Sequence, residues 1–392
     1  MLRLARLGLV ALVALLTIPT AAVRAATHMP IGFYDDASFR WSPDRSTNLE
    51  KAAAAGASVI HTTASWAQIA PKRPTQPANG NDRAYRLADL DELVAESSKV
   101  GLRVMINING TPKWANGGQT PNHMPKRLAD LTTFSRMLAD RYDGRHGFGN
   151  VRLWSVWNEP NLQLFLTPQF STVKVAAVKT VKGKKVRYKK TTFKIVGPGN
   201  YAKLYRAAYA GIKAGNKLAQ VAIGETSNLG RDRPIAISGQ SQSVAPGTFA
   251  RLLAKQKGLK FAAWATHPYT TFPGAKPLQK VRYPNVTLAL LPTFEANLKK
   301  FFHRRVPVWI TEYGHQTKPE NPHGITYAQQ AAYVKQALSV ARADRNVHMF
   351  IWFTFRDSAG NAWKSGLERS TGSHKPSYSV FSALAHLIDP AA

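Results

Sequence analysis

Two glutamates stand in matching surroundings. Glu159 follows the run Arg152-Leu153-Trp154-Ser155-Val156-Trp157, inside Asn158-Glu159-Pro160-Asn161. Glu312 follows Pro307-Val308-Trp309-Ile310-Thr311 and precedes Tyr313-Gly314. Each is a carboxylate set just past a short, mostly apolar, strand-like segment. A carboxyl group packed among tryptophan rings loses hydration, which favours its neutral form and suits a proton donor. A partner that stays ionised can attack an electrophilic carbon or activate water. Across a cleft, such a pair has the groups that cleave a glycosidic bond: one protonates the leaving oxygen while the other acts at the anomeric carbon. Trp66, Trp114, Trp157 and Trp352 also fall at or just after strand-like runs, where flat rings can stack on sugar faces. Glu225, a third acid at the end of such a run, has no comparable motif and reads as a structural or sugar-contacting group.

The segments that must carry these residues alternate between two patterns. Strand candidates are Pro30–Tyr34, Ser58–Thr62, Leu102–Asn107, Arg152–Trp157, Gln220–Gly224, Phe261–Thr266, Pro307–Thr311 and Val347–Phe353. Most are near-continuous apolar runs, as buried parallel strands are. Between them, Leu87-Leu90-Leu93-Val94 and Leu128-Leu131-Phe134-Leu138 recur at helical spacing. Similar patterns fill Tyr201–Ala214, Phe249–Lys257, Phe294–Phe302, Gln329–Ala341 and Tyr378–Leu387. Eight strand–helix alternations predict an α/β fold, a single-domain (β/α)8 TIM barrel whose strands all open onto one catalytic face. The alternative, a doubly wound open sheet, usually carries a Gly-rich turn after its first strand, and Ile31–Phe39 has none. The longest gap lies between the fourth and fifth strands. There, residues 173–195 hold nine Lys or Arg and no acid, with Gly183 marking a turn. This predicts a basic β-hairpin inserted at the catalytic face, or else a solvated excursion without a ligand.

Charge points to partners rather than to fold. Lys and Arg number 53 against 22 Asp and Glu, a formal net charge of +31. Such an excess attracts anionic polymers, including cell-envelope polysaccharide. No zinc-finger spacing, homeodomain-like helix or RNP-type aromatic strand accompanies it, so nucleic acid is not expected. The chain has no cysteine, which excludes thiol catalysis and cysteine-ligated metals. His123 and His315 lack metal-ligand spacing, and no metal is expected. Arg3 and Arg6 precede the apolar run Leu7–Ile18, and small residues follow from Ala21 to Ala26. That layout predicts a secretory signal peptide over residues 1–25, with an uncleaved anchor as the alternative. The mature chain, 26–392, is expected to be secreted or associated with the cell envelope, and monomeric.

Taken together, Trp-Asn-Glu-Pro-Asn at 157–161 and Trp-Ile-Thr-Glu-Tyr-Gly at 309–314 resemble the acid/base and nucleophile motifs of the clan A glycoside hydrolases, especially families 5 and 39. Further similarities follow in order: Gly56 through Trp66 and Pro71, Thr111-Pro112-Lys113-Trp114, His267-Pro268-Tyr269, and Ile351-Trp352-Phe353 through Asp357. The resemblance extends from Pro30 to the Lys375–Tyr378 stretch. It implies a retaining hydrolase of poly- or oligosaccharides that works through a covalent glycosyl-enzyme intermediate without metal or organic cofactor. It further implies Glu159 as acid/base, Glu312 as nucleophile, Asn158 on the sugar 2-hydroxyl and Tyr269 holding Glu312. Trp352 would floor the subsite where the ring distorts, His267 would line it, and Trp66 and Trp114 would stand at the rim. The clan's arginine near the end of the second strand is replaced by His61, whose charge depends on pH. That departure keeps a second expectation open, a glycan-binding barrel with weak or no catalysis that recognises anionic cell-envelope polysaccharide.

Overall fold

The computed structural model describes residues 28–235, 242–359 and 362–390. The expected signal segment lies outside them. Eight parallel strands close into a barrel: Ile31–Tyr34, Val59–Ser65, Arg103–Asn109, Leu153–Val156, Gln220–Ser227, Trp264–His267, Val308–Tyr313 and Val347–Trp352. The first strand pairs with both the second and the eighth, which closes the ring. Helices follow the strands and pack outside them, the longest being Gly197–Gly215, Tyr327–Ala343 and Leu128–Arg141. Among the described residues, no helix is long and apolar enough to cross a membrane.

Each expected strand is present, with its ends displaced by a few residues. The second, third and fifth run farther toward their C-termini than apolar character indicates. Their extra rungs include polar residues such as Thr63, Asn109 and Thr226, paired in the ladder near the barrel mouth. The predicted hairpin is also there. Phe170–Val181 and Lys184–Ile195 pair antiparallel through twelve rungs, outside the barrel sheet.

Strand alternation divides the interior into layers. Val59, Met105, Leu153, Ala222, Ala263, Ala265, Trp309, Met349 and Ile351 form an apolar plug within the lower barrel. Residues facing the other way, including Trp154, Trp264, Val308, Ile310 and Trp352, join the larger core between strands and helices. Gly32 permits the first two strands to meet, because a Cβ there would lie 1.7 Å from the Val59 carbonyl oxygen. Above the plug the interior turns polar, with His61, Asn107, Ser155, Glu225, His267 and Thr311 all buried. Hydration lost by these groups has to be replaced by hydrogen bonds among them. That network carries the candidate site.

Candidate active site

Two irregularities turn acids into the barrel. In the fifth strand the register with the sixth slips between Gly224 and Thr226, leaving Glu225 as the extra residue with φ of 45°. In the seventh strand the register with the eighth slips between Ile310 and Tyr313. A bulge re-aims a side chain that regular alternation would send outward. Thr311 and Glu312 thus both face the interior network, while Tyr313 packs with Trp352 in the outer core. At the end of the fourth strand, Trp157 and Glu159 hold φ of 68° and 35°. Left-handed backbone at non-glycine residues is unfavourable and concentrates at functional turns.

His267 binds these acids together. Its Nδ1 lies 3.0 Å from Glu159 Oε1 and 3.6 Å from Glu312 Oε2, and its Nε2 lies 2.9 Å from Glu225 Oε2. The Tyr269 hydroxyl donates to Glu312 Oε2 at 3.2 Å, and the Thr311 hydroxyl donates to Glu225 Oε2 at 2.6 Å. Exposure sorts the acids into two tiers. The side chains of Glu159 and Glu312 are 16% and 12% exposed, whereas those of His267 and Glu225 are wholly buried. The upper pair can meet a ligand, and the lower pair can act only through it. Because the upper glutamates share one nitrogen, those two oxygens can be no farther apart than their combined distances to it. That limit accommodates the ~5–5.5 Å separation of retaining pairs.

Burial and charge act in opposite directions here. Burial alone would push His267 down, but Glu312, Glu159 and Glu225 hold its pKa well above the ordinary histidine value. Burial would raise Glu225, but its hydrogen bond to His267 and the charge of His267 keep it below the ordinary carboxylate value. The lower tier is therefore an imidazolium–carboxylate pair. Glu312 is pushed up to about 7, first by burial and then by Glu159 and Glu225, against the lowering effect of His267.

His61 sits under this network as a neutral ring. Burial drives its pKa down to about 4, and its Nδ1 meets the Thr311 carbonyl at 3.2 Å. Where the resemblance leads one to expect a cation beside the nucleophile, the structure has a neutral strand support, and the positive charge is on His267. His267 itself is a correction: at 0% exposure it lies beneath the two upper glutamates and lines no sugar surface.

The tryptophans require correction as well. Trp352 is fully buried and donates to the Ser365 carbonyl at 2.9 Å, because strand alternation points it at the helices. Trp66 stacks on Phe134 in the outer core, and Trp157 is buried with its Nε1 on the Phe165 carbonyl. Trp114 is half-buried, with the Arg73 guanidinium 4.5 Å from its ring centre. Asn158 is half-exposed beside Glu159 and keeps its amide available, since it makes no hydrogen bond among the described residues. The aromatic surface at the mouth comes instead from Trp363, 5.2 Å from Tyr269 and 6.2 Å from Phe353 between ring centres. With Phe272 and Gln316, Tyr269 and Trp363 line a cleft of about 220 Å³. Trp363 lies in a loop with no strand or motif to mark it, and its position after the eighth strand was the only signal. Among the described residues, the group compact enough to hold a metal ion is Asp140, Asp143 and His146. It lies at the C-terminal end of the helix Leu128–Arg141, and Arg145 already pairs with both aspartates.

Comparison with known proteins agrees with this architecture. No curated protein matches in sequence. The fold resembles a family 39 glycoside hydrolase from Bacteroides cellulosilyticus WH2, at 19% identity and a TM-score of 0.61 over 93% of this chain. This chain spans 64% of that protein's length. A GH39 beta-xylosidase from Caulobacter crescentus is similar at 17% identity and a TM-score of 0.61, covering 92% of this chain and 72% of the xylosidase. GH5_18 from Streptomyces cattleya, in complex with GlcNAc, gives 15% identity and a TM-score of 0.62, covering 92% of this chain and 80% of its own. At these identities the likeness is one of fold. The cellulase family model, glycosyl hydrolase family 5, matches residues 25–355, and with the two strand-end glutamates in that family's barrel, this chain belongs to it.

Proposed function

We propose that the chain is a secreted retaining glycosidase in which Glu312 is the nucleophile and Glu159 the acid/base. One observation carries the reading: two partly exposed glutamates from the fourth and seventh strands converge on one nitrogen of His267. In the first step Glu159 protonates the departing oxygen while Glu312 bonds to the anomeric carbon. In the second, Glu159 takes a proton from water, which displaces Glu312. His267 moves no proton to substrate in this scheme. Its charge draws the glutamates into place and offsets the negative charge on the nucleophile. Tyr269 fixes the Glu312 oxygen that is not attacking, and Asn158 offers its amide to the sugar beside Glu159. Structural neighbours include a beta-xylosidase, an exo-beta-1,4-mannosidase and a glucosidase, so aryl β-xylosides, β-mannosides and β-glucosides are the first substrates to try. Proton NMR of the earliest product should show the same anomer as the substrate. An inverted product would refute the mechanism, and no turnover on any glycoside would favour the glycan-binding alternative that the neutral His61 keeps open. Export rests on the signal-like N-terminus, and the exported chain should begin at Ala26; a mass retaining residues 1–25 would count against it.

The raised pKa of Glu312 has a direct kinetic consequence. A nucleophile must be ionised, so kcat/KM on an aryl glycoside, whose leaving group needs little protonation, should climb as pH rises through about 7. A profile whose acidic limb lies near 4.5, the ordinary glutamate value, would show that the burial seen here does not govern the working nucleophile.

A further inference from the structure

The hairpin is a charged arm rooted in the site's own loop. Its strands, Phe170–Val181 and Lys184–Ile195, would extend about 40 Å at twelve residues each. At the root, the buried Gln169 side chain donates to the carbonyls of Pro160 at 2.8 Å and Leu166 at 2.7 Å. Pro160 directly follows Glu159, so the arm is fixed to the turn that presents this glutamate. Val196, just past the second strand, closes the root by donating to the Gln169 carbonyl at 2.8 Å.

The register disperses nine cations along this ribbon. Residues paired across an antiparallel ladder share a face. One face therefore carries Lys174, Lys185, Arg187 and Lys189, the other Lys179, Lys184, Lys190 and Lys194, and Lys182 stands at the turn. Every one of the eight strand cations is paired with a neutral residue, among them Val178 opposite Arg187 and Val175 opposite Lys190. Like charges directly opposite would weaken the ribbon, and this register avoids them. None of the nine makes an ion pair among the described residues. Lys185, Arg187 and Lys189 form a row with about 7 Å between neighbours. Such a row matches charges repeated along a polymer better than it matches one small anion.

The apolar residues of the arm bear on which polymer. Val175, Val181, Val186 and Tyr188 are exposed on one face, and Val178 and Phe193 on the other. Lysines are interleaved with them on both. Binding in a bilayer interface calls for an apolar face set apart from a charged one, and this ribbon has no such division. A hydrated chain, by contrast, can run along mixed cations and small apolar patches. The root beside Glu159 then places that chain where a bond in it can reach the glutamates.

We propose that the hairpin is the binding arm for a polyanionic glycan, one bearing carboxylate, sulfate or phosphate groups along its length, and that it lays this polymer across the Glu159–Glu312 site. This rests on the glycosidase reading of that site. The test uses the full chain and its K184Q/K185Q/K189Q/K190Q variant, with fluorescent polygalacturonate, dextran sulfate and neutral dextran as probes. Wild-type affinity for an anionic polymer should fall at least about tenfold between 0.01 and 0.15 M salt, as the screening length shrinks from about 30 to 8 Å. The variant should bind about tenfold more weakly at low salt with a flatter salt dependence. Turnover of a neutral aryl glycoside should not change. Equal affinity of variant and wild type for both anionic polymers would overturn the proposal. Tighter binding of phosphatidylglycerol vesicles or of DNA than of either polymer would also overturn it, and would name the other partner. If no aryl glycoside is turned over while lysine-dependent polymer binding persists, the glycosidase reading fails and the arm stands as a binding surface.

Discussion

Glu312→Ala should lower turnover by on the order of 10⁵-fold or more while leaving the melting temperature near that of wild type. The loss is large because, of the other glutamates gathered at His267, Glu225 is wholly buried and Glu159 serves as acid/base, so neither takes over bond formation. Stability should hold because the deleted carboxyl is buried among two other glutamates and is held up to about 7 by burial first. Removing it relieves a desolvated acid even as His267 loses one neighbour. Glu159→Ala should behave differently. A phenolate leaving group needs little protonation, so the first step on a nitrophenyl glycoside should survive while hydrolysis of the glycosyl-enzyme stalls. The loss on a natural glycan, where the acid is needed, should be about 10²–10⁴-fold. Azide, which needs no general base, should restore turnover and yield a glycosyl azide of retained configuration. Wild-type turnover of a natural glycan by Glu159→Ala would remove it from the acid/base role, and an active Glu312→Ala would remove Glu312 as nucleophile.

The fold was legible because the barrel's signal is regional. Eight apolar runs separated by helical periods survive errors of a few residues at each end, and each run found its strand. The two glutamates were legible because they sit directly after such runs. The tryptophans were not, because a position after a strand does not specify which side of the sheet a ring takes. Trp352 follows the inward-facing Ile351 and therefore points at the helices. Glu225 is structural, as its lack of a motif indicates, but its direction was illegible. By strict alternation its neighbours dictate its direction, but the bulge after Gly224 turns it into the barrel. Bulges depend on ladder register, which belongs to two strands at once and is not written in either alone. His61 was recognised as a departure from the family pattern, yet its neutrality follows from burial that only the assembled barrel imposes.

Glu225→Gln should change both stability and the pH profile, because Glu225 is the buried counterion of the charge that serves the site. The folded pKa of Glu225 lies below its ordinary value, so its contribution is present above 4.5 and is lost as pH falls through the folded value. That of His267 lies above its ordinary value, so its contribution is complete below 6.5 and is lost as pH rises through the raised folded value. The pair therefore stabilises most between those two pH values. Removing one member of a buried pair costs about 3–5 kcal/mol when the other charge is stranded. Glutamine can still accept from His267 Nε2, so the cost should lie toward the lower end of that range. The melting temperature gap between variant and wild type should be widest near pH 5–6 and narrow toward pH 9. Kinetics should move with it. Without Glu225, His267 is still held protonated by Glu312 and Glu159, so Glu312 keeps its neighbouring cation and loses an acid that raises its pKa. The acidic limb of kcat/KM should then shift downward, by about one pH unit or less. The ratio of activity at pH 6 to activity at pH 9 should therefore rise relative to wild type. A packing role alone would depress the rate equally at every pH and leave the limb in place. Differential scanning fluorimetry and pH–rate profiles of the two proteins separate these outcomes, and an unshifted limb with an unchanged melting temperature from pH 5 to 9 would show that Glu225 is not the counterion of His267.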